Sequence, residues 1–173
     1  MSRLIIAALI TLLTSPVFAA DAPNSAKTKT PEEGSAKKSS KTSQEKIAAA
    51  NKAYYDKAAA EKGTIKTGSG LLYKSLREGS GASPGIMNTV EVHYRGTLIN
   101  NQEFKNTYKS GKPAKHKLNR VFRCWQDGLQ KMKVGGKAKL VCPPELAFRN
   151  NGAGGIVPPN SVVIYEIELL GVK

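Results

Sequence analysis

The chain has 173 residues, room for one domain with extensions or for two small ones. Its two cysteines (Cys124, Cys142) and two histidines (His93, His116) are scattered without metal-ligand spacing, which argues against a metal centre. The net charge of +14 leaves three readings open: a solvated basic surface, acidic clients, or anionic lipid head groups.

Arg3, the apolar run Leu4 to Leu13, the break at Ser15-Pro16 and the small residues of Val17-Phe18-Ala19 have the layout of a secretory leader, residues 1–19, cut after Ala19. Its apolar core of about ten residues is too short to span a bilayer. Export to a bacterial periplasm is expected, where nucleic acid is not a partner. Residues 20–41 are rich in Ser, Lys, Pro, Thr and Glu and bury too little apolar surface to offset ordering entropy, so they read as a disordered tether. Thr42-Ser43-Gln44-Glu45 resembles a capping box, and Ile47, Ala50, Tyr54 and Ala58 recur at helical spacing, predicting a short helix over 42–63 that stops at Gly63. Its narrow alanine stripe fits docking on another helix or on the domain. An arm this short pairs weakly, so a monomer is favoured over a dimer.

Gly63 to Gly70 reads as a linker, and the folded domain is assigned to 64–173. Val90, Val92, Tyr94 and Leu98 share one face of a strand, with Glu91, His93 and Arg95 on the other. Asn100-Asn101 mark a turn, and Gln102 to Phe104 resume an extended chain. Between Lys105 and Arg123 come Lys109, Lys112, Lys115, Lys117 and Arg120 without one acid. Phe122, Trp125, Leu129 and Met132 lie on one face of a helix expected over Val121 to Met132, ended by Gly135-Gly136. Lys137 to Cys142 alternates again, as does Ser161 to Leu170, with Val163, Tyr165, Ile167 and Leu169 on one side. Strands with tight turns and one amphipathic helix imply an α+β fold, an antiparallel sheet wrapped on that helix. Two cysteines in an oxidising compartment permit a disulfide, which sequence alone leaves open.

No Gly-x-Ser-x-Gly elbow, phosphate loop or paired carboxylates occur. His93, on the polar face of its strand, reads as a solvated or hydrogen-bonded side chain. What remains is an enzyme without acids and bases, or a binding module. VEVHYRGTL, QEF, KPAKHKLNRVFRCW, GLQKMKVGGKAKL, PPELAF and GAGGIVPPNSVVIYEIELL, preceded by TGSGLLYK, resemble in order and spacing the FKBP-type peptidyl-prolyl cis-trans isomerases, in particular their exported bacterial branch. The resemblance covers about Gly68 to Lys173. It implies a half-barrel of five to six strands curled round the helix, with a proline pocket between them. Trp125 would be the floor, and Tyr94, Phe104, Tyr165, Val121 and Phe122 the walls. Phe148 and Val157 would lie on the two limbs of an overhanging loop. The implied function is isomerisation of X-Pro bonds in exported polypeptide clients, with no cofactor; the alternative is a weakened FKBP-like chaperone or proline-segment binding module.

Several positions depart from the family pattern. Lys105 stands where an acid is usual, and Phe148 where a tyrosine is. Ala114 and His116 fall where an aromatic is frequent. Phe122 replaces a smaller aliphatic, and Arg123-Cys124 replace Pro-Gly. Lys105 within the basic run is expected to weaken activity or redirect it toward prolines flanked by acidic residues.

Overall fold

The computed structural model describes the backbone of residues 33–173 and the side chains from residue 42 onward. The leader 1–19 and the first part of the tether, 20–32, lie outside the described residues.

Helix α1 (Glu33–Ala59) is followed by strands β1 (Thr64–Lys66), β2 (Leu72–Arg77), β3 (Thr89–Leu98), β4 (Glu103–Asn106) and β5 (Ala114–Lys117). Helix α2 (Arg123–Leu129), β6 (Lys137–Cys142) and β7 (Val163–Val172) complete the described chain. The strands form one seven-stranded sheet in the order β1-β2-β6-β7-β3-β4, with β5 pairing β3 beside β4. Every pairing is antiparallel. One strand carries both β4 and β5 because they take different stretches of it: β5 pairs Thr89–Val92 and β4 pairs Arg95–Thr97.

The period-two pattern places each strand's apolar residues as expected. Val90, Val92, Tyr94, Leu140, Tyr165, Ile167 and Leu169 join Trp125 and Leu129 of α2 in the main core. Helix and sheet approach closely at Gly128, where a β-carbon would lie 2.6 Å from a Leu140 methyl, so only glycine permits this packing. The opposite sheet face holds a smaller cluster, Leu72, Val141, Val162 and Ile164, covered by Ala58, Tyr54 and Tyr55 of α1. Asn51 fixes α1 there: its Nδ2 donates to the Asn160 carbonyl at 2.7 Å, and its Oδ1 accepts the Val162 N–H at 3.2 Å. The C-terminal half of the stripe, Tyr54 and Ala58, therefore docks on the chain's own domain.

Four expectations need correction. Helix α1 is described from Glu33, so Thr42 lies within it rather than capping it. A polar run of Ala, Lys, Ser and Glu lacks core-forming residues yet is compatible with helix, because propensity does not require burial. β1 lies within the stretch read as linker and raises the strand count to seven. Helix α2 is shorter than Val121 to Met132, since Val121 (ψ 175°) and Phe122 (ψ 148°) are extended. Phe122 is consequently the N-cap rather than part of the helix face: its carbonyl accepts the N–H groups of Trp125 and Gln126 at 2.9 and 3.0 Å.

Cys124 and Cys142 form a disulfide with Cα atoms 5.7 Å apart, joining α2 to the end of β6. Both residues are fully buried in the main core. Among the described residues no helix is long and apolar enough to cross a membrane.

Candidate functional site

A cavity of about 380 Å3 opens between α2 and the core-facing side of the sheet, lined by Tyr94, His116, Arg120, Val121, Phe122, Trp125 and Tyr165. Five separate elements supply these residues: Tyr94 comes from β3, His116 from β5, and Tyr165 from β7. The turn before α2 gives Arg120, Val121 and Phe122, and α2 itself gives Trp125.

Trp125 is 3 % exposed, and three rings meet it nearly edge-on. Tyr94 lies 4.7 Å away at 84°, Tyr165 5.3 Å at 87°, and His116 5.6 Å at 85°, measured between ring centroids and planes. Such T-shaped contacts place a positive ring edge against a negative face and fix the rings without hydrogen bonds. The aromatic wall continues outward: Phe104 packs on Tyr165 at 5.7 Å, Phe148 on Phe104 at 6.0 Å, and Phe122 on Phe148 at 4.7 Å. Gly96 permits that wall, because a β-carbon there would come within 2.7 Å of the Phe104 ring and 3.0 Å of Tyr165. Tyr94 is held from behind by Thr107, whose buried Oγ1 accepts the Tyr94 N–H at 2.9 Å and lies 3.0 Å from His93 Nδ1. His93 is thus a hydrogen-bonded strand residue stacked on Tyr108, away from the cavity lining.

The site has little ionisable chemistry. Burial raises the Tyr94 phenol, pushes the Tyr165 phenol well above its ordinary range, and lowers the His116 imidazole. All three therefore favour their neutral forms near neutral pH. His116 Nε2 and Trp125 Nε1 are buried without a hydrogen-bond partner among the described residues. No group of three or more His, Cys, Asp or Glu able to hold a metal is found among those residues. The arrangement can seat a compact apolar ring over Trp125 and exclude water from it.

Of the candidate site residues, Tyr94, Val121, Phe122, Trp125 and Tyr165 line the cavity, and Phe104 and Phe148 extend its wall. Val157 is 3 % exposed and lies in the main core, bonded in both directions to Ala153 across the base of its loop. Lys105 is exposed on β4 and does not line the cavity, while Phe104 beside it turns inward. The charge change at Lys105 is therefore not a change in the cavity lining. Its neighbour Glu103 instead gathers Lys109, Asn106 and Arg95, whose hydrogen bonds hold its carboxyl down to about 2. Sequence reasoning treated His116 only as a departure from pattern and Arg120 only as part of a charge run, yet both line the cavity. The alternation of Ala114 and His116 against Lys115 and Lys117 was the available signal for His116.

Comparison with known proteins identifies the family. The sequence model of the FKBP-type peptidyl-prolyl cis-trans isomerases matches residues 81–170. The chain belongs to this family. Among curated members, the FKBP-type peptidyl-prolyl cis-trans isomerase FkpA of Escherichia coli K12 is 44% identical over 145 residues, 82% of this chain and 53% of the relative. The peptidyl-prolyl cis-trans isomerase Mip of Coxiella burnetii is 41% identical over 110 residues, 63% of this chain and 48% of the relative. The chain thus spans about half the length of the curated family members it matches. The crystal structure of E. coli FkpA superposes with a TM-score of 0.72 at 43% identity, covering 82% of this chain and 68% of that one. A peptidyl-prolyl cis-trans isomerase from Pseudomonas syringae superposes with a TM-score of 0.67 at 32% identity, covering 73% and 96%. The family's antiparallel sheet round a short helix is the fold observed here.

Proposed function

We propose that the protein is a peptidyl-prolyl cis-trans isomerase that acts on proline-containing segments of exported polypeptides. The observation that carries this reading is Trp125 at the base of a water-excluding cup, met edge-on by Tyr94, Tyr165 and His116. Rotation about the X-Pro bond opposes resonance worth about 18–20 kcal/mol. In the twisted transition state the amide loses resonance and its carbonyl dipole shrinks. A dry aromatic cup disfavours the planar, well-solvated amide more than the twisted one, so it lowers the barrier without a proton donor or base. Trp125 seats the proline ring, Tyr94, Tyr165 and Phe104 wall it, and Val121 and Phe122 border the flanking chain. The Val121 carbonyl already accepts Gln126 Nε2 at 2.8 Å, which fixes the orientation of that peptide group and leaves it one lone pair.

A periplasmic location is part of the proposal. The leader pattern in residues 1–19 supports it, and a buried Cys124–Cys142 disulfide fits an oxidising compartment. A monomer is the proposed state, because Asn51, Tyr54, Tyr55 and Ala58 of α1 are engaged with the chain's own sheet. The deciding experiment is two-dimensional exchange NMR on a neutral Ala-Pro peptide with the protein added. Cis/trans exchange accelerated at catalytic protein concentrations, and reduced at least tenfold in a folded Trp125→Ala variant, supports the reading. Exchange at the uncatalysed rate overturns it.

A further inference from the structure

The cavity wall is aromatic or aliphatic at every lining position but Arg120. Its two phenols and its imidazole are driven toward neutrality by burial, and no carboxylate lines it, so Arg120 supplies its formal charge. The surrounding basic run is less free than its sequence suggests. Lys109 pairs with Glu103, Lys115 with Glu91 and Arg123 with Asp127. Arg120 forms no ion pair with any described residue, and its side chain is exposed at the mouth of the cavity. Its backbone is nonetheless fixed. It ends a 3-10 turn anchored by the fully buried Leu118, whose N–H donates to the Asn88 carbonyl at 2.9 Å.

An unpaired guanidinium on a held backbone, at the edge of a low-dielectric aromatic cup, is suited to receive a carboxylate. The planar fork matches two carboxylate oxygens, and the apolar wall beside it weakens solvent screening. Lys105, Lys112 and Lys117, also exposed and without described ion pairs, add to the positive charge of the domain surface. We infer that Arg120 forms an anion subsite at the mouth of the cavity and selects polypeptides in which Asp or Glu lies next to the proline seated over Trp125. This rests on the proline-pocket reading proposed above and names its substrate class. It also moves the acidic preference from Lys105, outside the lining, to a residue on the cavity wall.

Trp125 is the chain's single tryptophan, so its fluorescence reports occupancy of the cavity whether or not turnover is fast. The test titrates the full chain with short blocked peptides carrying Gln-Pro, Glu-Pro, Pro-Glu, Lys-Pro or Gln-Ala, at about 20 mM and about 500 mM salt. At low salt a Glu peptide should bind about threefold to fivefold tighter than Gln-Pro, the range an exposed ion pair reaches. That advantage should fall below about twofold at high salt. Arg120→Gln should bring the Glu-to-Gln ratio close to one, and Arg120→Glu should turn the preference toward Lys-Pro. Equal binding of the Glu and Gln peptides by the unaltered protein overturns the subsite. So does a preference that survives Arg120→Gln but disappears in Lys105→Gln. If Gln-Pro binds no better than Gln-Ala, the proline pocket itself fails. If Gln-Pro is preferred to Gln-Ala yet neither Glu position helps, the Arg120 subsite alone fails.

Discussion

Reducing the Cys124–Cys142 bridge should destabilise the domain by about 3 kcal/mol. The two cysteines are 18 residues apart in sequence, and closing a loop of that length in the unfolded chain removes about 11 cal/mol/K of conformational entropy. At 25 °C this corresponds to about 3 kcal/mol, a large part of the 5–15 kcal/mol that holds a typical domain folded. The Cα separation of 5.7 Å is ordinary for a bridge, so the native backbone need not move to accommodate it. Reduction of the unaltered protein is a cleaner perturbation than Cys→Ala at both sites, since it leaves the core side chains in place. Urea unfolding followed by Trp125 fluorescence, with and without reductant, gives the comparison directly. For a slope of about 1–3 kcal/mol/M, the midpoint should drop by about 1–3 M. Amides of α2, a helix of only seven residues, should also exchange faster when the bridge is open. Midpoints that agree within about 0.3 M would refute the reasoning, showing that the unfolded chain gains no freedom from losing the bridge.

Three further outcomes follow from the packing. Gly96→Ala should force Phe104 and Tyr165 apart, costing about 1–3 kcal/mol in denaturant unfolding and reducing the proposed acceleration of Ala-Pro exchange; a variant with unchanged exchange would show that the Phe104 wall is dispensable. His116→Phe should raise stability by about 1 kcal/mol, because it removes a buried Nε2 that has no partner among the described residues. Burial lowers the His116 pKa, so the unfolded chain takes up this proton at higher pH than the folded one; its contribution to stability is complete above about pH 6.5 and declines as pH falls. The variant should lack that share of the acid decline, and parallel stability–pH curves for the two proteins would disprove it. Asn51→Ala should leave the buried Val162 N–H without its acceptor and loosen α1, seen as faster amide exchange in the helix with peptide exchange rates retained; protection equal to that of the unaltered protein would contradict the latch.

Alternation identified which side of each strand faces the core, because period two survives whatever the strands pair with. Val90, Val92 and Tyr94 lie on the inner face for that reason, and so do Val163, Tyr165, Ile167 and Leu169. Phe122 shows where periodicity stops being sufficient. Its spacing from Trp125 and Leu129 is helical, but its conformation is extended, and its ring packs on Phe148, 26 positions further along the chain. The start of α1 carries no apolar signal for a different reason: helix formation depends on propensity as well as burial, so a polar run can extend a helix without a core face. The disulfide required a distance between α2 and β6 that only the packed structure supplies. Gly96 and Thr107 act across strands, one by making room for Phe104 and the other by fixing the Tyr94 backbone, and neither carries a local signal.

Charge is the property that linear reading compressed most. Seven basic residues without an acid between Lys105 and Arg123 suggest a uniform surface, and Lys105 attracted attention as the site departure within it. Folding separates these cations by partner. Lys109, Lys115 and Arg123 meet carboxylates that lie on β4, β3 and α2, all three outside the run itself. Lys105 remains exposed outside the cavity lining, and Arg120 alone among the seven reaches that lining. What distinguishes these residues is therefore not their charge, which they share, but whether an acid neutralises it and whether an apolar wall stands beside it. Folding sets both conditions: β3–β5 pairing brings Lys115 to Glu91, one turn of α2 brings Arg123 to Asp127, and the turn before α2 places Arg120 at the cavity, which is why the acidic preference is assigned to Arg120.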